Sequence, residues 1–312
     1  MLLERLLNAY RVSGREFEIR NIIKEELNKI RCEFEEDLLG NIVITKNKKN
    51  VNLMISANMD TNGLIVTYIE EKGAIRVNKI GNVNLNNVVG SIVKFENGVE
   101  GIIYAAKENP EISDIYIDLG VDSKEDVNIK EGDSARFISD GFENENYIVN
   151  PGLDNAVGCY ILLEILKAKR SIKDDVAIVF STQGVLEGRG ARAAAYNCNP
   201  NMAIILSGEC TGDHIGGKGT VKLNEGPVLR IKDRSLIMCQ NTKELLESIS
   251  EKADIKIQYA VSTESSEGTL HKERCGISTG ILGLPIRYRG TLKEMVSKKD
   301  IDSMKNLLNE LI

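Results

Sequence analysis

The chain has 312 residues, of which 42% are apolar and 28% charged, and its formal net charge is −6. This length supports a large domain carrying a smaller one, since single cores stop growing at about 250–300 residues, and the composition is that of a globular protein rather than a disordered or fibrous one. The mild, dispersed negative charge lacks the basic footprint that nucleic-acid binding requires, so no nucleic-acid partner is expected. There is no apolar run of about 18 residues, and the opening Met-Leu-Leu-Glu-Arg-Leu-Leu carries charge too early for a signal peptide, so no membrane association and a cytoplasmic location are expected. The six cysteines (Cys32, Cys159, Cys198, Cys210, Cys239 and Cys275) form no CxxC pair and read as reduced thiols acting as small hydrophobes.

In chain order, the N-terminal stretch predicts two helices separated by Val12-Ser13-Gly14. Ser13 and Glu16 have the spacing of a capping box ahead of an amphipathic run, Phe17, Ile19, Ile22, Ile23, Leu27 and Ile30. Asp37 to Asn41 reads as a turn, 42–45 as a strand, and 51–57 as an apolar strand ending in Asn58-Met59-Asp60. Polar groups at such a strand end often line a cleft.

From 63 to 148 the pattern changes to short β-branched runs at 64–69, 74–77, 91–95, 101–105, 115–118 and 134–138, separated by Gly, Asn and Asp. Short strands with turn signals between them predict an inserted small β-barrel. After Pro151 the alternation of helix and strand resumes, with helices at 155–169, 189–197, 241–253 and 298–311 and strands at 176–182, 202–207, 255–262 and 278–288. The expected fold is therefore an α/β domain, a mixed sheet flanked by helices, formed by 1–62 and 149–312, with the 63–148 insertion set into it.

Four ordered segments carry a resemblance. They are Ser56-Ala-Asn-Met-Asp60, Gly152-Leu-Asp-Asn-Ala-Val-Gly158, Ser181-Thr-Gln-Gly-Val-Leu-Glu-Gly-Arg-Gly-Ala191 and Ser278-Thr-Gly-Ile-Leu-Gly-Leu-Pro-Ile-Arg-Tyr288. With Lys232-Asp233-Arg234-Ser235 and the final helix, the chain resembles the dinuclear-metal glutamyl aminopeptidase family, which includes the tetrahedral and deblocking aminopeptidases and members labelled endoglucanase or cellulase. The resemblance implies a zinc-aminopeptidase-like α/β domain, a barrel that helps dimerisation, and dimers that commonly assemble into a hollow dodecamer.

It also implies a chemistry. Two divalent ions bridged by an Asp, and completed by two His and further carboxylates, activate water while a separate Glu acts as general base. Carried over position by position, Asp154 falls on the bridging Asp, and Asp60 on the Asp that orients the first His ligand. That His position holds Asn58, a weak zinc donor. The general base and its neighbouring Glu ligand fall on Gly184 and Val185. A further Asp ligand falls on Ser207, and the last His on Arg289 or Gly290. The resemblance thus implies a degenerate site, with no metal expected by the family mechanism, and zinc or cobalt only if the site is reorganised.

Such reorganisation would draw on Asp154 with Glu209 or His214, from a polar segment that also holds Cys210 and Asp213; Glu187 is a further candidate. The simpler reading of Cys210 to His214 is a polar loop after a strand. Likewise, Asp154 just before a helix suits an N-cap as well as a relic of a metal bridge. Without metals, Asp154 and Asp60 would need a nearby guanidinium, with Arg289 or Arg189 as candidates. The Gly216 to Thr220 run lacks phosphate-loop spacing. His271 reads as structural in a short helix, and Ser262 to Ser266, with Glu264 and Glu267, takes the place of a Gly-rich segment near the family's substrate.

Two functions follow. One is a non-catalytic pseudopeptidase acting in peptide or small-ligand binding or in assembly, as a homo-oligomer or together with active sister subunits. The alternative is an active metallo-aminopeptidase with a reorganised site. A glycan hydrolase ranks below both, because no carboxylate pair is singled out for it.

Overall fold

The computed structural model describes residues 1–48, 51–169, 171–264, 266–273 and 276–312, with the side chains of 269, 271 and 272 left aside. His271 falls within a 3-10 turn, Glu267–Lys272, but its side chain, like all of Cys275, lies outside the described set. The five described cysteines are free thiols.

The chain opens with helices α1 (Leu2–Asn8) and α2 (Phe17–Lys29), followed by strands β1 (Glu35–Glu36), β2 (Ile42–Thr45) and β3 (Leu53–Asn58). Next come β4 (Gly63–Ile69), β5 (Ile75–Ile80), β6 (Ile92–Phe95), β7 (Glu100–Ala105), β8 (Ile115–Asp118) and β9 (Ser134–Ile138). Then follow β10 (Phe142–Glu143), β11 (Tyr147–Asn150), α3 (Leu153–Lys169), β12 (Val176–Ser181), α4 (Arg189–Cys198) and β13 (Met202–Cys210). The last part holds β14 (Val228–Lys232), α5 (Gln240–Lys252), β15 (Gln258–Val261), β16 (Ser278–Arg287), β17 (Glu294–Ser297) and α6 (Lys298–Leu311).

Eleven strands form one mixed sheet in the order β1-β2-β12-β3-β13-β16-β17-β11-β10, with β14 paired to both β15 and β16. Its centre, β12-β3-β13-β16, is parallel, and β2 and β17 run antiparallel on either side. Alternation along the strands sorts the core into two layers, because successive side chains point to opposite faces. Ile55, Ile178, Phe180, Ile204 and Leu206 face the side packed by α1, α2, α3, α5 and α6. Met54, Ala177, Val179, Ala203 and Ile205 face α4, whose Ala191, Ala194 and Ala195 allow close approach. α3 has apolar residues all round because it is buried against both sheet and helices.

The strands β4 to β9 close into an antiparallel barrel in the order β4-β5-β8-β7-β6-β9, with its own core around Leu64, Val93, Phe95, Ile103 and Ile117. β10 and β11, at 142–150, pair into the large sheet alongside β17. Short strands at the edge of the large sheet (β1, β10) and the strands β11, β14 and β17 carry too little pattern to stand out in sequence.

The expected capping box at the start of α2 does not form. Glu16 is itself the N-cap residue without a side-chain cap bond, and its buried carboxylate accepts from the amides of Gly14 (2.8 Å) and Gln183 (2.9 Å). Tertiary amides outcompete the local partner here, tying the loop before α2 to the loop after β12.

Because the barrel and the large sheet have separate cores, Phe95→Ala should cost about 3–5 kcal/mol in the barrel. Hydrogen exchange is expected to speed up across β4 to β9 while β12 and β13 stay protected. Uniform loss of protection would show that the two cores unfold as one unit.

Candidate functional site

The parallel strands β3, β12, β13 and β16 end at one edge of the sheet, and the polar residues singled out in the sequence gather there. In the register of β3 with β12, Asn58 lies beside Ser181. Asp60 follows β3, Gly184 and Val185 follow β12, Ser207 lies in β13, and Arg289 and Gly290 follow β16. All of these except the buried Asp60 and Ser181 border a cavity of about 590 Å³ whose opposite wall comes from the barrel side, including Val83, Val88 and Phe137. A crevice at the carboxyl ends of parallel strands is the usual ligand position in open α/β sheets.

Asp60 is fully buried and accepts from the backbone amides of Gly184 (2.7 Å) and Val185 (3.1 Å). It also accepts from the Asn58 side-chain amide at 2.9 Å, so Asn58 turns its donor toward Asp60. Asp154 does not cap α3. Its backbone is non-helical, and its carboxylate packs on Gly208, accepting that residue's amide at 2.7 Å. The other oxygen accepts from Arg289 Nε at 2.7 Å.

Arg289 therefore provides the guanidinium expected beside Asp154, whereas Arg189 is exposed at the start of α4. Its second branch reaches Glu264 at 2.5 Å. Burial would push the Asp154 carboxyl up, but the charge of Arg289 and the Gly208 amide hold it below the usual carboxylate range. Conversely, Asp154 and Glu264 hold Arg289 well above its ordinary value despite the cost of burial.

Two buried carboxyls were not singled out as site residues. Glu294, in β17, accepts from the amides of Gly290 (2.8 Å) and Asp154 (3.2 Å), and burial together with the Asp154 charge pushes it up to about 7. Glu267 is only 6% exposed, and burial followed by the charge of Asp60 pushes it up to about 8. Its Oε1 lies 3.3 Å from the Ser181 hydroxyl, which donates to it, while Oε2 has no partner among the described residues. A further buried cation, Arg11, donates to the carbonyls of Met59, Asp60 and Gly152.

The reorganised ligand set of Asp154, Glu209 and His214 does not come together. Glu209 is ion-paired with the buried Arg230 at 2.6 Å. The ring of His214 packs on Tyr288 with centroids 5.0 Å apart. Asp213 binds Arg287 at 2.6 Å, and that guanidinium holds it at about 2 against the effect of burial. Glu187 is exposed on the loop before α4. The Ser207 hydroxyl faces its neighbour's carbonyl, with Gly208 O at 3.3 Å. Among the described residues, no three His, Cys, Asp or Glu side chains are grouped so as to hold a metal ion.

The donor set does not fit a pair of divalent ions. The carboxylate at the bridging position, Asp154, is already engaged by Arg289 and the Gly208 amide, and Asp60, at the position that orients the first ligand, is held by three amide donors. At Gly184 a side chain has no room, since a Cβ there would collide with the Glu267 carboxyl and lie 2.6 Å from Asn58 Cγ.

The sequence matches the M42 glutamyl aminopeptidase family over residues 40–307. The chain belongs to that family. It is 34% identical to a protein of Acetivibrio thermocellus named "Putative aminopeptidase", over 100% of this chain and 97% of the relative. An aminopeptidase from the archaeon Desulfurococcus kamchatkensis superposes with a TM-score of 0.92 at 27% identity, covering 100% of this chain and 93% of that one. The Pyrococcus horikoshii TET1 peptidase, which can assemble into a tetrahedron or a large octahedral shell, gives 0.91 at 26% identity, covering 99% and 98%. The mixed sheet with its closed barrel is the architecture of these M42 relatives. Among the described residues, no helix is long and apolar enough to cross a membrane.

The raised carboxyls give the fold a pH signature. Glu267 and Glu294 hold protons in the folded state up to about 8 and about 7, whereas an unfolded Glu releases its proton near about 4.3. Folded protein thus binds more protons than unfolded protein across that window, and stability falls as pH rises through it. The urea midpoint is expected to be lower at about pH 8.5 than at about pH 6, and Glu267→Gln is expected to flatten the slope. An unchanged slope in Glu267→Gln would contradict the assignment.

Proposed function

We propose that this member of the M42 family is a pseudopeptidase by the two-metal route, a protein that uses the aminopeptidase fold to bind peptides or to assemble. The observation that carries the reading is the internal neutralisation of the edge carboxylates. Arg289 stands on Asp154, where the family resemblance calls for a ligand to a metal. Glu267 occupies the space beside Gly184, where it calls for the general base. A tethered guanidinium is always charged and always present, so it competes with any dissolved cation without loss of translational freedom.

In this reading the molecule is a dimer-based homo-oligomer, in keeping with the shells formed by the TET1 relative, and its dodecamer or a mixed shell with active sister subunits would present the cavity to peptides. A second reading, a peptide hydrolase with a reorganised metal site, is favoured by the retained Asp60 and Asp154 and by the aminopeptidase relatives. It requires Arg289 to leave Asp154 and at least three protein ligands to converge on one ion.

The two readings separate on metal content after incubation with excess zinc and cobalt and desalting, combined with a chromogenic aminoacyl-amide assay. Far less than one ion per chain and no turnover above the blank are expected. Retention of about one or two ions with turnover would establish the second reading instead. Gly184→Glu with Val185→Glu is expected to stay inactive and to lose about 1–3 kcal/mol of stability through overpacking against Glu267 and Asn58.

A further inference from the structure

Position 184 and position 267 are complementary in size. The backbone at Gly188, in the left-handed region with φ of 66°, passes so close to Glu267 that a Cβ there would lie 2.8 Å from its Cα and 2.9 Å from its Cβ. Further along, the Glu267 carboxyl reaches the space that a side chain at Gly184 would need. The two glycines thus form a slot through which a carboxyl from the 3-10 turn Glu267–Lys272 enters the cavity at the carboxyl edge of the sheet.

That carboxyl is incompletely satisfied. Ser181 donates to Oε1, and Oε2 is left without a partner among the described residues although it is buried. An orphaned buried acceptor costs about 1–3 kcal/mol, a cost that a ligand donor placed there would remove. The surroundings also select the sign of the ligand. Asp154 lines the cavity together with Glu267, and the buried Asp60 adds its charge from nearby; of the four guanidinium groups that line it, Arg11, Arg136 and Arg289 are held by protein acceptors and Arg234 is exposed. Arg11 donates to three carbonyls, and Arg289 lies between Asp154 and Glu264. An anion would meet carboxylates first, whereas a cationic donor would add positive charge where it is short.

We propose that Glu267 supplies, from a different element, the ligand-facing carboxyl that position 184 lacks, and that it accepts a hydrogen bond from the primary ammonium group of a bound peptide. The assignment rests on the peptide-binding reading above and makes Glu267 a specificity-determining residue of this chain.

Calorimetric titration with trialanine amide and with its N-acetyl form tests it. The free-amine peptide is expected to bind the wild-type protein at least about ten-fold more tightly than the acetylated one, the proton held by Glu267 being released to buffer as the ammonium takes its place in a charge-assisted hydrogen bond. Glu267→Gln, which keeps shape and volume, is expected to remove that preference while leaving the weaker binding of the acetylated peptide unchanged. Glu267→Asp, with the carboxyl drawn back by one methylene, is expected to fall between the two, and thermal unfolding of each variant verifies that it is folded. If Glu267→Gln binds peptide with the amine preference intact, the assignment of Glu267 fails while peptide binding stands. If neither peptide binds the wild-type protein, both fail.

Discussion

Carboxylates gathered at the carboxyl edge of a buried parallel sheet must be neutralised, and the way this is done shapes everything around the cavity. An unpaired carboxylate in such a place costs several kcal/mol. Three means are used here. Asp60 is held by two backbone amides and the Asn58 side chain. Asp154 is held by a guanidinium and an amide. Glu267 and Glu294 are pushed upward until a proton does the same work near neutral pH. Each solution depends on its neighbour, since the charges on Asp60 and Asp154 are part of what raises the two glutamates.

The scaffold is indifferent to how that balance is struck. The two core layers are built from alternation on β3, β12, β13 and β16 and from the buried faces of the helices, and the polar residues at the strand ends do not belong to them. This separation of fold from site is why membership of the M42 family can be read along nearly the whole chain without fixing what the residues at the strand ends do. The buried Arg230 with Glu209 and Gly208 illustrates the boundary. It anchors β14 against the end of β13 and removes Glu209 from the supply of free carboxylates.

Much of this was legible in the sequence, for identifiable reasons. The six barrel strands stood out because β-branched runs alternate with Gly, Asn and Asp, and the long helices because their apolar spacing is sustained. The gathering of Asp60, Gly184, Ser207 and Arg289 was an expectation carried by the family resemblance, and their places after or within parallel strands are its physical basis. Features that depend on distant contacts were not legible. Ser13 and Glu16 have capping-box spacing, but Glu16 accepts from Gln183 instead. Asp154 precedes a helix, but its carboxylate is drawn to Gly208 and Arg289 rather than to the helix amides. His214 and Glu209 are near in sequence, yet β13 ends between them and competing partners draw them to Tyr288 and Arg230. Glu267 is the sharpest case, because its Ser181 partner is 86 residues away and only the fold reveals that a glycine at 184 makes room for it.

The central claim is that internal groups have taken the places of dissolved cations, and the most direct test is anomalous X-ray diffraction from crystals soaked in zinc. The account predicts no anomalous peak at Asp154, with Arg289 still on Asp154 and the Glu267 carboxyl beside Gly184. A strong peak on the Asp154 carboxylate, with Arg289 swung away from it, would contradict it.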